Sequence, residues 1–397
     1  MELSHTITSL TPGGDDGWGL FYEARRRKAA GQPIRELTIG EHDIKTDPII
    51  LDAMHKAAIG GHLGYATVPG IPALREAVAA RVTERTGVAT TPDNVLITPG
   101  GQAALFAAHI ATLGPGATGL YIDPYSATYP GTIHGTGASS RAVAARPEDG
   151  FQPRAADIAA AADITAPSSL LINTPNNPTG VVYTRETLDG IARVTKDHDL
   201  WLISDEVYDT QVWEGDHLSP RALPGMTERT LVVGSMSKSH AMTGSRVGWV
   251  VGPEDAVAHM INLATHTTYG VPGYIQDAAV FALAQGCDLV FQRRALRQGK
   301  DRVAAPFERR RAAAAKLLEG QNIVRLVPSG GAMYLMLDVR ATGLSGQAFG
   351  QHLLDTHQIA VMPGESFGQA AAGHVRVAMT IDDDAFLGAL REILDAA

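Results

Sequence analysis

The sequence has little cysteine and no long apolar run, and both absences narrow the classes of protein to which it belongs. The 397 residues include one cysteine, Cys287, so no disulfide can form within the chain and a reducing, cytoplasmic setting is expected. No run of about 18 apolar residues exists, so we expect no membrane-spanning helix. The start, MELSHTITSLTPGGDDGWG, has neither a basic nor an apolar segment, so we expect no secretory signal.

Positive charge is also scarce. The chain has 33 lysine and arginine residues against 42 aspartate and glutamate residues, and its net charge is −9. This balance argues against nucleic acid or an anionic membrane as the main partner. The hydrophobic fraction of 45% and the charged fraction of 19% are ordinary for a globular enzyme. The length suits two closely joined domains.

Helices and short apolar runs alternate from residue 48 onward, which is typical of a mainly parallel sheet covered on both faces. The predicted strands are NVLIT (94–98), GLYID (119–123), SLLIN (169–173), LWLIS (200–204), TLVVGS (230–235) and RVGWVVG (246–252). Before them, residues 18–31 predict an amphipathic helix and residues 36–40 a short strand.

The pattern changes after residue 285 and predicts a smaller α+β domain. A long helical stretch rich in arginine and alanine (289–319), with a break near Pro306, precedes three short strands and two helices. The strands are predicted at 334–339, 359–364 and 374–380, and the helices at 346–356 and at the C-terminus. We therefore predict an α/β fold in three parts: an N-terminal arm and helix (1–45) that joins the small domain, a large ligand-binding domain (46–285) and a small C-terminal domain (286–397).

Polar and glycine-rich segments follow several predicted strands, at the edge where ligands bind in open α/β sheets. Pro99-Gly100-Gly101-Gln102 opens a helix, whose free N–H groups and dipole can seat a phosphate. Asn177 lies in the rigid loop TPNNPTG, and Asp205 and Tyr208 lie in the segment DEVY. A carboxylate buried at a strand end needs a cationic partner, because an unpaired buried charge is costly.

The segment GSMSKSHAMTGSRVGW (234–249) carries the most specific signal, because it sets one lysine among hydroxyls, with an arginine eight positions later. A binding site for pyridoxal 5′-phosphate needs such a combination of an amine, hydroxyls and a guanidinium. The cofactor requires an amine for its aldehyde, a carboxylate for its ring nitrogen, and an amide and a phenol for its ring oxygen. Its phosphate requires hydroxyls, a helix N-terminus and an arginine. Lys238, Asp205, Asn177, Tyr208, Ser235, Ser237, Arg246 and Gly101 supply these groups.

With NNPTG, DEVY and SMSKSHAMTGSRVGW in this order, the sequence resembles the class I/II aminotransferases, the fold-type I pyridoxal-phosphate enzymes related to aspartate aminotransferase. The resemblance runs from about residue 18 to the C-terminus. It implies that Lys238 forms a Schiff base with the cofactor and carries the proton, and that Asp205 pairs with the ring nitrogen. It implies ring-oxygen partners at Asn177 and Tyr208, and phosphate partners at Ser235, Ser237, Arg246, Gly101 and Gln102.

The same resemblance implies a homodimer with shared active sites, in which Tyr65 reaches the phosphate of the partner subunit. It implies that Arg376, in HVRVAMT, grips the α-carboxylate of the substrate, and a guanidinium suits that role because it pairs with a carboxylate through two hydrogen bonds. The backbone of Gly40, in TIGEHD, is implied to lie beside the substrate. The family usually has proline where His42 stands, so His42 either is structural or contacts substrate.

One departure concerns the aromatic ring that the family commonly stacks on the cofactor, in a Pro-x-aromatic-x-x-Tyr segment. In DPYSATYPG, Pro124 and Tyr129 match, but Ser126 stands at the aromatic position. Tyr125 supplies the stack if the loop shifts; otherwise the cofactor face is more open or is covered by something else. The segment THTTYGVPGYIQ (265–276) either lines the pocket, from its own or the partner subunit, or connects two helices. Substrate contacts are expected from Gly40, Ser126, Asn177 and Arg376, with Tyr269 as a further candidate.

These residues favour transamination, the ping-pong exchange of an amino group between an L-amino acid and a 2-oxo acid. A lyase on the same fold, of the C–S lyase or cyclopropane-forming synthase type, is the alternative, because the same lysine serves both reactions. A sensor domain of a transcription regulator is disfavoured by the acidic composition and by a start close to the first helix. No H-E-x-x-H or G-x-S-x-G motif is present, so neither a metal site nor a serine hydrolase is expected. No basic residue can be assigned to a distal substrate carboxylate.

Overall fold

The computed structural model describes residues 1–11, 17–284 and 305–397. The helices are α1 (His5–Thr8), α2 (Gly19–Ala29), α3 (Pro48–Ile59), α4 (Pro72–Thr86), α5 (Gly101–Thr112), α6 (Tyr129–His134), α7 (Ala155–Thr165), α8 (Arg185–Asp197), α9 (Met236–Ser239), α10 (Glu254–Thr265), α11 (Gly273–Ala284), α12 (Ala305–Leu318), α13 (Gly346–Thr356) and α14 (Asp383–Asp395). The strands are β1 (Arg35–Glu36), β2 (Val95–Thr98), β3 (Thr118–Asp123), β4 (Ser139–Ala144), β5 (Ser169–Asn173), β6 (Trp201–Asp205), β7 (Thr230–Ser235), β8 (Gly248–Val251), β9 (Arg325–Leu326), β10 (Tyr334–Asp338), β11 (Ile359–Ala360), β12 (Met362–Pro363) and β13 (His374–Ala378).

The main sheet has seven strands in the order β2-β8-β7-β6-β5-β3-β4. The strands from β7 to β4 run parallel, and β8 is antiparallel to both of its neighbours. Strands β5 and β7 are buried at every residue, which explains why they are apolar throughout instead of alternating. This architecture confirms the predicted α/β fold with a mainly parallel central sheet.

The two faces of this sheet carry separate apolar clusters. On one face Leu170 and Leu202 pack in the same cluster as Leu188 of α8. On the other face Leu171 and Ile203 pack in a cluster that includes residues of α5 and α10. Successive residues of a strand point to opposite faces, so each buried strand contributes to both clusters. Burial of a large apolar side chain stabilises a fold by about 1.5–3 kcal/mol, so these clusters fix the positions of the strand ends.

A second sheet has four antiparallel strands in the order β12-β13-β10-β9. Phe307 of α12, Phe349 of α13 and Phe386 of α14 are buried in its core. The N-terminal segment joins this part of the molecule, because β1 pairs in parallel with β11. The structure thus has the predicted smaller α+β unit with N-terminal and C-terminal contributions. The domain limits remain a prediction, and the limit after residue 285 lies outside the described residues.

Several local predictions differ from the structure. The strand predicted at 36–40 is reduced to β1, and the one predicted at 359–364 is divided into β11 and β12. Strand β4 gives no apolar signal because it is an edge strand with mostly exposed side chains. The predicted helix 289–319 is described only from Ala305, and Pro306 lies in the first turn of α12, where proline is tolerated. Within the described ranges, no helix has the length and apolar character needed to cross a bilayer.

Candidate active site

Loops at the carboxyl ends of the seven-stranded sheet enclose a cavity of about 330 Å³. Most of the predicted site residues meet there. Those that line the cavity are Gly40, Gly101, Gln102, Ser126, Asn177, Asp205, Tyr208, Ser235, Ser237, Lys238 and Arg246. Three predicted residues, Tyr65, Tyr125 and Arg376, are not among the lining residues.

Lys238 lies in α9, the short helix that follows β7. Its Nζ donates a hydrogen bond to the carbonyl oxygen of Gly40. Its own carbonyl oxygen accepts a hydrogen bond from Nε2 of Gln211 at 3.2 Å. Gly40 has no room for a side chain, since a Cβ atom there would overlap the hydroxyl of Tyr334. The amine is therefore held at the cavity wall by a neutral oxygen atom.

Asp205 is the last residue of β6 and is 5% exposed. Its Oδ2 accepts a hydrogen bond from the hydroxyl of Tyr129 at 2.6 Å, and its Oδ1 accepts one from the N–H of Val207 at 3.2 Å. Burial raises the pKa of Asp205 to about 6, although both hydrogen bonds and the charge of Lys238 act in the opposite direction. A buried carboxylate of this kind stabilises a cation placed beside it. The sequence reveals Tyr129 as part of a motif, but not its bond to Asp205.

Asn177 and Tyr208 connect this wall to the second sheet. Oδ1 of Asn177 accepts a hydrogen bond from Nη1 of Arg376 at 2.7 Å. The hydroxyl of Tyr208 lies 2.9 Å from the hydroxyl of Tyr334. Burial, together with Tyr334, raises the pKa of Tyr208 well above its ordinary value. Tyr208 therefore keeps its proton and can donate a hydrogen bond.

A set of anion-binding groups surrounds the start of α5. Gly100 has φ of 81°, and a Cβ atom there would overlap the guanidinium of Arg246. The hydroxyls of Ser235 and Ser237 lie 3.0 Å apart, and Gly101 begins the helix. Free N–H groups at a helix start, two hydroxyls and a guanidinium are the donors that bind a phosphate.

Arg376 lies on β13 and is 2% exposed. Besides its bond to Asn177, it donates to the carbonyl oxygen of Thr38, and its Nε has no hydrogen-bond partner among the described residues. Its Cζ lies 4.4 Å from the ring centroid of Tyr334 and 4.3 Å from that of Phe367. Burial lowers its pKa, and no described carboxylate counters this effect. The arrangement suits a carboxylate that comes from a ligand.

The segment after β3 presents a serine to the cavity and no stacking ring. Ser126 lines the cavity, whereas Tyr125 packs edge-on against Tyr121, with ring centroids 4.8 Å apart. The N–H of Tyr125 donates to the carbonyl oxygen of Phe367 at 2.9 Å, which holds Tyr125 outside the cavity. The position of Tyr125 therefore gives no support to its predicted contact with the cofactor.

His42 lies next to the Lys238 turn but does not line the cavity. Its ring centroid is 5.4 Å from that of Phe307, and its Nε2 is 3.5 Å from Nε2 of Gln211. Burial and the charge of Lys238 lower the pKa of His42 to about 3, so the ring is neutral. These contacts favour the structural role over contact with substrate.

Tyr65 and Tyr269 form a pair at the surface. Their ring centroids lie 5.2 Å apart, and the two residues are 92% and 53% exposed. Neither residue lines the cavity of its own chain. Tyr269 lies in the connection between α10 and α11, as one alternative for 265–276 predicts, and a role of this segment in the pocket of a partner subunit stays a prediction.

Comparison with known proteins identifies the family. The family model described as "Aminotransferase class I and II" matches residues 33–393. The chain belongs to this family. The arginine–pyruvate transaminase of Pseudomonas aeruginosa is 38% identical over 396 residues, which cover 99% of this chain and 97% of that protein. The aspartate/prephenate aminotransferase of Thermus thermophilus is 34% identical, over 91% of this chain and 90% of that protein.

Comparison with a solved structure supports the same family. The aspartate aminotransferase of Thermus thermophilus, determined with maleate, has a TM-score of 0.90 and 30% sequence identity, with complete coverage of both chains. The chain is therefore a pyridoxal-phosphate-dependent aminotransferase, which moves an amino group between an amino acid and a 2-oxo acid. The aminotransferase names of the relatives support transamination over the alternative of a lyase. The cavity fits the cofactor, because it combines an amine, a buried carboxylate and a set of phosphate donors.

Proposed function

We propose that Lys238, Asp205 and Tyr208 are the catalytic residues of this aminotransferase. The observation that carries the proposal is the convergence of the Lys238 amine, the Asp205 carboxylate and the glycine-rich start of α5 on one cavity. When bound, pyridoxal phosphate supplies an aldehyde that bonds to amines and a ring that takes up the electron pair left when Cα loses its proton. Asp205 would hold the ring nitrogen in its protonated form, and Asn177 and Tyr208 would bind the ring oxygen.

Lys238 moves the proton. Its Nζ takes a proton from Cα of the amino acid and later delivers it, as general base and then general acid. The hydrogen bond to the carbonyl oxygen of Gly40 holds Nζ at the cavity wall between these steps. Both half-reactions use this one amine. Ping-pong kinetics are expected because the first 2-oxo acid leaves before the second one binds.

Arg376 binds the α-carboxylate of the amino acid. Asn177 and the carbonyl oxygen of Thr38 fix the guanidinium, and the rings of Tyr334 and Phe367 lie close to it. The orientation matters because Cα must face Lys238 for the proton to move. Phosphate is held by Ser235, Ser237, Arg246 and the helix start at Gly101 and Gln102, with Ser126 and Gly40 beside the substrate.

Substitution of Lys238 tests this assignment. In Lys238→Ala, turnover should fall by at least about 10³-fold, because the group that carries the proton is gone. The visible absorbance of the bound cofactor should also change. Lys196→Ala is the matched control, since the Lys196 amine also donates to a backbone carbonyl, that of Pro224, but at the surface. Unchanged absorbance in Lys238→Ala would show that Lys238 does not bond to the cofactor.

The amino donor has a cationic or neutral side chain, and the acceptor is pyruvate. Support comes from the arginine–pyruvate transaminase to which this chain is similar. Support also comes from the cavity, where the charged lining residues of one described chain are Glu41, Asp205, Lys238 and Arg246. Both cations already have roles, so neither is free to bind a distal carboxylate. A panel of arginine, alanine, phenylalanine and aspartate with pyruvate or 2-oxoglutarate tests this, and a preference for aspartate would contradict it.

The active form is a cytoplasmic homodimer in which Tyr65 reaches the phosphate of the partner subunit. Support comes from the exposed rings of Tyr65 and Tyr269 and from nearby exposed side chains such as Leu63, which is 68% exposed. Sedimentation should give the mass of two chains. Tyr65→Phe should weaken cofactor binding several-fold through the loss of one hydrogen bond, whereas Tyr22→Phe, an exposed tyrosine of α2, should leave it unchanged. A monomeric, fully active enzyme would refute this arrangement.

A further inference from the structure

Asp123 is a buried carboxylate that the proposed mechanism does not use. It is the last residue of β3 and is 5% exposed. Its Oδ2 accepts hydrogen bonds from the N–H of Gln369 at 3.0 Å and from the N–H of Ala370 at 3.2 Å. Among the described residues these backbone groups are the favourable partners of its charge, and no cation is one of them. A carboxylate buried in this way is costly, so its hydrogen bonds should serve a purpose.

The loop that Asp123 binds also carries an aromatic partner of Arg376. Phe367 lies in this loop, and its ring centroid is 4.3 Å from Cζ of Arg376. A second bond joins the same segments, since the carbonyl oxygen of Phe367 accepts from the N–H of Tyr125 at 2.9 Å. Gly368 has φ of 115°, and a Cβ atom there would overlap Oδ1 of Asp123. Only glycine allows this approach of the loop to the carboxylate.

The segment that follows Asp123 forms part of the cavity wall. Ser126 and Tyr129 line the cavity, and Tyr129 donates its hydroxyl to Asp205. One carboxylate therefore connects the segment that supports Asp205 with the loop that packs on Arg376. The connection runs from the seven-stranded sheet to the loop that precedes β13.

We propose that Asp123 is a positioning residue for Arg376. By tying loop 364–371 to the end of β3, it holds Phe367 against the guanidinium and sets where the substrate carboxylate binds relative to Lys238. The proposal rests on the proposed role of Arg376 in carboxylate binding. Loss of the tie should weaken substrate binding more than it slows the proton transfer, because Asp205 ends β6 and Lys238 lies in α9 after β7, and the tie reaches neither element directly.

The test compares two substitutions that each remove a carboxylate from hydrogen bonds with backbone N–H groups. Asp123→Asn should raise the KM of amino donor and 2-oxo acid about tenfold, with kcat changed by less than about threefold. Glu365→Gln is the matched control, because Oε1 of Glu365 accepts from the N–H groups of Gly346 and Gly373 and makes no link to β3. The control should change KM by less than about twofold.

A readout without turnover is hydrogen exchange of the cofactor-free protein. Asp123→Asn should speed exchange at the amides of Gln369 and Ala370, because a neutral amide oxygen accepts their hydrogen bonds more weakly than a carboxylate does. If this variant does not fold, Gly368→Ala weakens the same contact from the loop side and should raise KM in the same way. A raised KM without faster hydrogen exchange at these two amides would count against the tie.

Three outcomes overturn the proposal. An unchanged KM in Asp123→Asn means that the tie does not position Arg376. An equal rise of KM in Glu365→Gln means that the stability of the loop matters and the link to β3 does not. Arg376→Lys distinguishes a failure of this proposal from a failure of the proposed function. An unchanged KM in Arg376→Lys means that Arg376 does not bind the substrate carboxylate. A raised KM in Arg376→Lys together with an unchanged KM in Asp123→Asn means only that the tie does not position Arg376.

Discussion

The two sides of the cavity are built in different ways. On the cofactor side, the parallel strands β5, β6 and β7 deliver Asn177, Asp205 and Lys238 at or just after their carboxyl ends. On the carboxylate side, Arg376 lies within β13 and is fixed by groups far away in the chain, namely the carbonyl oxygen of Thr38 and the side chain of Asn177. The first side depends on sheet topology, and the second on long-range packing.

The charges of the two sides differ as well. Asp205 is a buried acid whose ionised form is favoured by the Tyr129 hydroxyl, the Val207 N–H and the charge of Lys238, and this carboxylate stabilises a cation in the cavity. Arg376 is a buried cation with no described carboxylate partner, so it attracts an anion. We therefore expect the cofactor side to control kcat and the carboxylate side to control KM.

Removal of the charge at Asp205 should have the largest effect. In Asp205→Asn, kcat should fall about 10³-fold, because the protonated ring nitrogen loses the buried carboxylate that stabilises it. KM should change little, since Arg376 is untouched. Steady-state kinetics with a saturating cofactor concentration would measure both values.

The neighbouring carboxyl provides the control. Glu206 is also buried, and burial raises its pKa to about 7, but it bonds to Ser204 and Ser219 and does not line the cavity. Glu206→Gln should keep kcat within a few-fold of the parent enzyme. Equal losses in the two variants would mean that general destabilisation of β6, and not the charge facing the cofactor, explains the result.

A change at Arg376 should have the next largest effect, and this effect should be on KM more than on kcat. Arg376→Lys keeps the positive charge but loses the two parallel hydrogen bonds and the flat contact with aromatic rings. KM for the amino donor should rise about 10- to 100-fold, while kcat falls less. Arg340→Lys is the control, because Arg340 also makes two hydrogen bonds to one carboxylate, that of Asp338, away from the cavity. A drop in kcat alone would break the division between the two sides.

The sequence predicts the cofactor side of the site better than it predicts the long-range contacts around it. Asp205 and Lys238 could be found from the sequence because each lies in a short motif directly after a buried strand, so local pattern and topology place them together. The bond from Tyr129 to Asp205 could not, since it joins residues 76 positions apart. The tie from Asp123 to loop 364–371 joins residues 246 positions apart and is also a tertiary contact with no local pattern. Edge strand β4 could not be predicted for a different reason, because its side chains are mostly exposed and give no apolar pattern.

Loss of the Tyr129 hydroxyl should have the smallest effect, and it tests whether the cofactor side is tuned by this long-range contact. The hydrogen bond favours the ionised form of Asp205 and so lowers a pKa that burial has raised to about 6. In Tyr129→Phe that pKa should rise by up to about 0.7 units, the equivalent of one hydrogen bond of about 1 kcal/mol. We expect kcat to fall by less than about twofold near pH 7, because a pKa rise of this size leaves the Asp205 carboxyl mostly ionised there.

The sign of the pH effect in Tyr129→Phe separates tuning of Asp205 from a packing defect. A carboxyl whose pKa is raised on folding adds stability below its ordinary pKa, and that stability is lost as the pH rises through the raised value. The loss grows when the pKa rises further, so cofactor-free Tyr129→Phe should fall behind the parent protein in stability as the pH rises from about 4 to about 7. Tyr121→Phe, a buried tyrosine of β3 that does not bond to Asp205, should show a constant difference. Chemical denaturation at several pH values would measure the free energy of unfolding of each variant. If Tyr129→Phe differs from the parent protein by the same amount at every pH, the bond from Tyr129 contributes to packing and does not change the pKa of Asp205.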